Sequence, residues 1–282
     1  MAAPIPVLLC ADDYGLSLGV GEGIRKLIRA GRLTATSVMT VCPFWPEEAA
    51  RLRPLAERAD VGLHFTLTDQ HPLGPMPRLA PEGRLPSLGR LMRLACTGAL
   101  DPAEIRAELA RQIDAFIQAW GGPPTYIDGH QHVQQLPTVR GAVVAALAAL
   151  PGAYLRVCRE PRAAILRRGV AVPKTLLIDA LGIGLAPLAA RHSVPVNDRF
   201  RGVYDLSGRV PFGTLMERFL DRPEGRTLVM VHPGIPDEAL RHADPLVEQR
   251  AVEHAYLMSD AFTDLLAAKG LRLARFRDLP QT

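Results

Sequence analysis

Two adjacent acids close the first apolar run of the chain. Residues 6–10 read Pro-Val-Leu-Leu-Cys, and Asp12 and Asp13 follow after one alanine. Two carboxylates this close repel each other unless a cation or a shared proton relieves them. A divalent metal gives that relief if one acid binds it and the other takes a proton from a water that the metal holds. The alternative is that these acids cap the helix that follows, since Asp often accepts the free N–H groups of a helix start.

Histidines follow two later apolar runs. His64 lies late in the strand-like residues 61–67, and Asp128, His130 and His132 fall within five residues after another such run. A lone histidine in a strand is more often a core residue, but imidazole and carboxylate together are the usual ligands of Zn²⁺, Mn²⁺ or Fe²⁺. In an extended stretch, Asp128, His130 and His132 share one face. Three strands that end in Asp, His and His therefore predict a metal-dependent enzyme.

His232 ends a further apolar run, in the sequence Met-Val-His-Pro-Gly. Histidine can donate a proton to a leaving amine near neutral pH, so His232 is a candidate acid. Other kinds of catalytic machinery find little support. The sequence has no G-x-S-x-G elbow and no Walker A motif, and the glycines of residues 19–23 have the wrong spacing for a nucleotide-binding loop.

Strand-like and helix-like segments alternate along the chain and must position these groups. Strands are predicted at residues 6–10, 36–41, 61–67, 125–128, 154–157, 226–232 and 271–276, and helices at about 20–30, 46–57, 101–120, 138–150 and 245–269. Asp101, Pro102 and Glu104 form a strong helix start. The alternation favours parallel strands, either closed into a barrel or open and doubly wound. We predict one domain over residues 1–282, with the Pro- and Gly-rich residues 68–100 as a loop or lid.

The composition is that of a globular protein, with 48% hydrophobic and 22% charged residues in 282. Four scattered cysteines without CxxC spacing, and no evident secretory signal, predict a cytoplasmic location, with membrane association as an alternative. The net charge of +4 comes almost entirely from arginine. A composition bias explains it, and an anionic partner such as a phosphate-bearing lipid carrier is the alternative. A nucleic-acid partner is not predicted.

Residues 170–190 are apolar apart from Lys174 and Asp179, but two prolines and two glycines interrupt them. A membrane-spanning helix is therefore not predicted, and a buried pair of helices is the expected structure. An apolar patch that docks a lipid-linked substrate is the alternative. The arginines that precede this segment fit that alternative: Arg156, Arg159, Arg162, Arg167 and Arg168.

At these motifs the chain resembles the YdjC-like family of carbohydrate deacetylases, which includes chitooligosaccharide deacetylases and hopanoid-associated deacetylases. The matching segments are residues 11–17, 62–64, 126–133 and 232–234, followed by a helix that carries Asp244, Glu248, Arg250 and Glu253. Their order and spacing agree over most of the chain. Gln131, Gln134 and Tyr14 depart from the residues common in the family, and these departures concern substrate preference rather than the ligand set.

The resemblance implies a distorted (β/α) TIM-like barrel that removes the N-acetyl group from an amino sugar of an oligosaccharide or of a lipid-linked glycan. By position, Asp13, His64 and His130 would bind one divalent metal ion. That ion would be Mg²⁺ or Zn²⁺, with Mn²⁺, Fe²⁺ or Co²⁺ as alternatives. Asp12 would be the base for the metal-activated water, and His232 the proton donor.

Asp128, His132 and Tyr14 would contact the substrate or support the ligands. Two other functions are weighed beside this one. One is an inactive barrel that binds a glycan or glycolipid, and the other is a metal-dependent hydrolase of an ester or phosphoester. The predicted partner is an N-acetylated sugar, with peripheral membrane contact and a homodimer as open alternatives.

Overall fold

The computed structural model describes residues 3–279, and strands alternate with helices along that range. Its strands are β1 (Ile5–Tyr14), β2 (Ala35–Val38), β3 (Asp60–Phe65), β4 (Tyr126–Gly129), β5 (Tyr154–Leu155), β6 (Arg199–Arg201), β7 (Thr227–Val231) and β8 (Leu271–Leu273). Its α-helices are α1 (Leu18–Arg29), α2 (Trp45–Leu52), α3 (Leu88–Cys96), α4 (Pro102–Trp120), α5 (Val139–Ala148), α6 (Arg162–Arg168), α7 (Val172–Leu181), α8 (Leu185–Arg191), α9 (Phe212–Phe219), α10 (Glu238–Ala243), α11 (Glu248–Met258) and α12 (Asp260–Ala268). Residues 1–2 and 280–282 of the predicted domain lie outside the described range.

The strands form one parallel sheet in the order β5-β4-β3-β2-β1-β7-β6, with β8 paired to the first residues of β1. A bridge between Leu155 and Val196 joins β5 to the segment before β6. The sheet therefore curls into a distorted TIM-like barrel, and the open, doubly wound alternative is wrong. In such a barrel the carboxyl ends of the strands meet at one edge, where loops can assemble a site.

β1 runs through the middle of this sheet and is buried from residue 7 to residue 14. It pairs with β2 and β7 along its later residues and with β8 at residues 5–7. A parallel strand covered on both faces reads as a continuous apolar run rather than an alternating one. That burial explains the run at residues 6–10, and it places the two acids that follow inside the protein.

The acids do not cap the first helix. Ser17 caps α1, because its hydroxyl accepts the N–H of Val20 at 3.2 Å. Asp12 and Asp13 lie within β1, both about 2% exposed. The capping alternative is therefore wrong, and the burial of the two acids needs another explanation.

The long helix α4 holds the 68–100 segment against the barrel. It starts at the predicted signal, where Asp101 accepts the N–H of Ala103. Further along, Gln112 accepts the N–H of Thr66 and donates to its carbonyl oxygen, at 3.0 and 2.8 Å. Glu108 accepts the N–H of Leu73 at 2.9 Å. The segment contains α3 and is anchored at its start, and its role as a lid stays a prediction.

Two predicted helices differ in the structure. The helix predicted over 245–269 is wrong as one element, because the extended backbone of Ser259 separates α11 from α12.

The apolar residues 170–190 were predicted to form a buried pair of helices. Within residues 3–279, the segment Val172–Arg191 is long and apolar enough to cross a membrane, with a third of it buried. It folds as two short helices, α7 and α8, separated at 182–184. The predicted pair is present but only partly buried, since Leu177 and Ile183 are 52% and 51% exposed.

A stack of aromatic rings fills the barrel beneath the strand ends. Tyr154 stacks on Tyr126 with ring centroids 4.7 Å apart and on Phe276 at 3.9 Å. The Tyr126 hydroxyl contacts Cys10 and Ser37 at 3.1 and 2.9 Å. Tyr126 is therefore fixed at both its ring and its hydroxyl group.

We expect Gly62→Ala to destabilise the fold by about 1–3 kcal/mol, the usual cost of overpacking a core. A Cβ on Gly62 in β3 would lie 2.3 Å from the ring of Tyr126, which cannot move aside. The control is Gly141→Ala in α5, where a Cβ meets nothing within 4 Å. Replacing a helix glycine by alanine there should stabilise by about 0.5–1 kcal/mol. Urea unfolding of both variants measures the difference, and equal stabilities would contradict this account of Gly62.

Candidate active site

An irregularity at the end of β1 turns both acids toward one site. The pairing of β1 with β2 shifts register between Ala11 and Tyr14, and Asp13 takes a left-handed backbone with φ of +67°. A non-glycine residue in that region costs roughly 1–2 kcal/mol. In a regular strand Asp12 and Asp13 would point to opposite faces. The bulge lets both carboxylates approach His64, whose Nε2 is 3.9 Å from Asp12 and 3.3 Å from Asp13.

Asp13, His64 and His130 bring their donor atoms together. One ligand atom from each lies within 4.8 Å of the others. His130 Nδ1 is 3.0 Å from Asp13 Oδ1, the same oxygen that His64 approaches. The three residues come from β1, β3 and the end of β4, and β3 pairs with β4. Two imidazoles and a carboxylate in this arrangement suit a divalent metal ion, and their role as ligands stays a prediction.

Asp128 orients His64 for this task. Its Oδ1 lies 2.6 Å from His64 Nδ1, and a carboxylate can only accept, so Nδ1 carries a proton and Nε2 is the nitrogen left to bind a metal ion once its own proton is lost. Burial lowers the pKa of His64, but the carboxylates of Asp128 and Asp12 outweigh it and raise that pKa to about 10. A metal ion that binds here must therefore displace a proton from His64. Asp128 therefore contacts a predicted ligand, and its role in the reaction stays a prediction.

Arg156 holds Asp12 and Asp128 together. Its guanidinium donates to both oxygens of Asp12, at 2.6 and 2.7 Å, and lies 2.6 Å from Asp128 Oδ2. Burial opposes ionisation of Asp12, but Arg156 holds the pKa of that carboxyl well below its ordinary value. Cys10, Asp12 and Asp128 also lie close enough to ligate a metal, but the guanidinium contacts all three. This second cluster is therefore an ion-pair network.

Arg156 is fully buried, so the suggestion that it belongs to a surface for anionic lipids is wrong. Its place was not foreseen because its partner Asp12 lies 144 residues away in the chain. Only the fold brings the end of β5 to the end of β1. The sequence signal was a lone arginine directly after an apolar strand, where an uncompensated charge is rare.

His232 lies at the end of β7 and lines the same cavity. Burial lowers its pKa to about 4, against the opposing effect of Asp13 and Asp12, so its imidazole is neutral near pH 7. Its Nδ1 finds no hydrogen-bond partner within residues 3–279. Its backbone N–H donates to Glu253 at 2.6 Å, and burial raises the pKa of Glu253 to about 7. Helix α11 thus fixes the loop that carries His232.

Of the other residues predicted to contact the substrate or support the ligands, His132 lines the cavity and Tyr14 does not. The backbone turns at His130 into a short 3₁₀ segment in which Gln131 and His132 are left-handed, so the prediction that residues 128, 130 and 132 share one extended face is wrong. His132 still lines the cavity, with Nδ1 3.5 Å from Cys158. Tyr14 is fully buried away from it, donating to the carbonyl oxygen of Glu48, so a substrate contact by Tyr14 is also wrong.

These groups line a cavity of about 390 Å³. Polar and ionisable residues gather at one end: Asp12, Asp13, His64, His130, His132, His232 and Arg250. Apolar side chains from α3, α7 and two loops line much of the rest: Leu88, Met92, Leu177, Leu181, Leu206 and Leu246. Tyr204 is an aromatic residue of the wall, and Lys174 is an exposed cation there. The cavity thus combines a reactive end with an apolar wall.

Comparisons with known proteins find similar sequences and a similar fold over nearly the whole chain. A chitooligosaccharide deacetylase from Klebsiella pneumoniae (strain 342) is 31% identical over 273 residues, 97% of this chain and 98% of that protein. One from Citrobacter koseri is 32% identical with the same coverage. A crystal structure from Enterococcus faecalis V583, of a candidate cellobiose-phosphate cleavage protein, shares the fold with a TM-score of 0.75 at 20% identity. That match covers 99% of this chain and all of the other.

The family model described as YdjC-like protein matches residues 6–268. That range extends from β1 to the last residue of α12, so it includes every residue of the reactive end of the cavity. The chain belongs to the YdjC-like family.

Proposed function

We propose that this protein removes the acetyl group from an N-acetylated amino sugar by metal-dependent hydrolysis. The observation that carries the proposal is the set of Asp13, His64 and the partly exposed His130, beside Asp12 and His232 in one cavity. Two relatives over nearly the full chain are named chitooligosaccharide deacetylases, which supports the same reaction class. Asp13, His64 and His130 would hold the divalent ion, which supplies a Lewis acid that acidifies water and polarises a carbonyl.

The chain's own residues then handle the protons. Asp12 takes a proton from the attacking water, and the water oxygen forms a bond to the acetyl carbon. Arg156 keeps Asp12 ionised and aimed, since both carboxylate oxygens are hydrogen-bonded to it. The carbon–nitrogen bond then breaks, and the amine leaves with a proton from His232. Because His232 is neutral near pH 7, it must first receive the proton that Asp12 took from the water, and it then delivers that proton to the amine. Acetate and a free amine are the products.

The apolar wall of the cavity favours a lipid-linked glycan over a soluble oligosaccharide. Leu177 and Leu181 of α7 and Met92 of α3 would meet the part of the substrate that follows the sugar. A sugar chain usually needs hydrogen-bonding side chains or aromatic faces, whereas six aliphatic side chains suit a hydrocarbon. The substrate class that we propose is therefore an N-acetylated sugar joined to an apolar group.

Acetate release tests the proposal. We expect the enzyme loaded with Zn²⁺, Mg²⁺ or Mn²⁺ to release acetate from N-acetylglucosamine glycosides, and a chelator to remove the activity. An octyl glycoside should have a higher kcat/KM than the methyl glycoside or chitobiose, because it buries its chain against the apolar wall. Full activity of the metal-stripped protein would overturn the mechanism. Hydrolysis of phosphate esters alone, or sugar binding without any turnover, would favour one of the two rival functions.

A further inference from the structure

Arg250 is buried in the cavity wall with one nitrogen left over. It lies in α11 with its side chain 1% exposed. Its Nη2 donates to Asp13 Oδ2 at 2.6 Å and to Asp244 Oδ2 at 3.0 Å, and its Nε donates to the carbonyl oxygen of Leu246 at 3.0 Å. Its Nη1 finds no hydrogen-bond partner anywhere in residues 3–279. Two of its three nitrogens therefore have fixed acceptors, and the third does not.

An unpaired nitrogen on a buried cation is costly, because the group has lost its water and gained nothing in return. Native proteins satisfy nearly all buried donors, so an exception beside a cavity indicates a partner that arrives later. Arg250 borders the cavity at the end that holds Asp13 and His232. Its carbonyl oxygen also accepts the N–H of Gly234 at 3.0 Å, which ties it to the loop after His232.

The charge of Arg250 also lies close to the reacting groups. Its Nη2 lies 2.6 Å from Asp13 Oδ2, and Arg250 lines the same cavity as Asp12 and His232. An acceptor that gains negative charge would bind such a donor most strongly, because charge-assisted hydrogen bonds are the strong ones. During amide hydrolysis, the atom that gains negative charge is the acetyl oxygen.

We propose that Nη1 of Arg250 donates a hydrogen bond to the acetyl oxygen of the substrate and stabilises the negative charge that develops there. This role deepens the proposed function and rests on it. Nη2 at the same time keeps Oδ2 of Asp13 occupied, which leaves Oδ1 facing His64 and His130. One guanidinium thus serves the ligand set with one nitrogen and the reacting group with another.

A simpler role must be distinguished from this one. Arg250 could act only as a brace that joins Asp13 to Asp244, and in that case its effect on the reaction would pass through the metal ligand. The variant Arg250→Lys separates the two roles, because lysine keeps a cation beside Asp13 but cannot reach two places at once. Metal affinity then measures the contact of residue 250 with Asp13, whereas kcat and acetate binding measure the loss of Nη1.

We expect Arg250→Lys to bind the metal within about threefold of the parent and to lose about 10²–10³-fold in kcat, as when one oxyanion donor is removed. The KM for the sugar should change much less than kcat. Acetate, the product, should inhibit the variant at least tenfold more weakly. The matched control is Arg201→Lys, since Arg201 is also buried but binds Glu160 and backbone carbonyls away from the cavity. Its kcat should stay within threefold of the parent.

A kcat for Arg250→Lys within threefold of the parent would overturn the proposal. So would a loss of metal affinity that parallels the loss of kcat, since that result means a brace alone. Crystals of the parent enzyme with metal and acetate give a test that needs no variant. An acetate oxygen should lie about 2.7–2.9 Å from Nη1, and acetate bound without that contact would contradict the proposal.

The failure of the proposed function would look different. A parent enzyme that releases no acetate from any acetylated sugar refutes the reaction, whatever acetate does at Nη1. A parent enzyme that releases acetate, beside an Arg250→Lys variant that releases it equally well, refutes only the role of Arg250.

Discussion

Asp13→Asn and His64→Ala should each remove metal binding and acetate release. Both replace a side chain of the Asp13–His64–His130 set, and a Lewis acid contributes several kcal/mol to such a reaction. A loss on the order of 10³-fold or more in kcat is expected, since each 1.36 kcal/mol is a factor of ten. Asparagine suits position 13, because it tolerates the left-handed backbone found there and has nearly the same shape. Calorimetric titration with Zn²⁺ or Mn²⁺ measures the binding directly.

The control for these variants is His192→Ala, which removes an exposed histidine at the end of α8. It should leave both metal binding and kcat unchanged. Circular dichroism and melting temperature show whether Asp13→Asn has kept the fold. If Asp13→Asn binds metal as tightly as the parent does, then the ligand set is wrong, even if activity falls.

Arg156→Met should be the most destabilising single change near the site. Methionine leaves Asp12 and Asp128 buried without their shared cation, and breaking a buried ion pair in this way costs about 3–5 kcal/mol. Activity should fall as well, because Arg156 fixes both oxygens of Asp12. Urea unfolding at neutral pH measures the first effect, and acetate release the second.

The cost of Arg156→Met should depend on pH. In the parent protein Arg156 holds the pKa of Asp12 below its ordinary value of 3.8, so the ionised acid stabilises the fold above that pH. Without Arg156, burial raises the pKa of Asp12 above the unfolded value, and the variant loses stability as the pH rises through that range. The deficit should be larger at pH 7.5 than at pH 5.

Arg241→Met supplies the comparison, because Arg241 and Glu248 form an exposed ion pair. Its loss should cost at most about 1 kcal/mol and vary little with pH. A deficit for Arg156→Met as small as that one, or one that grows toward acid pH, would contradict the assigned network.

Much of the site could be predicted from the sequence because its residues stand at strand ends. Parallel strands bring their carboxyl ends to one edge, so the acids after β1 and the histidines after β3 and β4 could be expected to meet. The choice of Asp13, His64 and His130 among them came from the resemblance to the YdjC-like family. The start of α4 was equally clear, since Asp101 and Pro102 are a local signal. Such features depend on a few neighbouring residues or on one general rule of topology.

The arginines could not be predicted in this way. Arg250 lies 237 residues from Asp13, and its geometry depends on how α11 packs against α1 and α9. Helix α11 was itself part of one predicted long helix, because the break at Ser259 has no proline or glycine to mark it. The left-handed turn at Gln131 and His132 was likewise hidden, since neither residue type announces it. Long-range contacts and local strain of this kind become visible only in the folded chain.

The bulge at the end of β1 also limits how this chain can change. Three neighbouring strands fix the register of β1. Asp12 and Asp13 occupy adjacent positions of this strand but have different partners. Arg156 binds Asp12, and Arg250 binds Asp13. A single residue inserted or deleted between Cys10 and Gly15 would move the acids out of register with these two arginines. Surface turns such as residues 97–99 have no such constraint. We therefore expect laboratory evolution to tolerate other apolar residues in β1 but no change in the number of residues between Cys10 and Gly15.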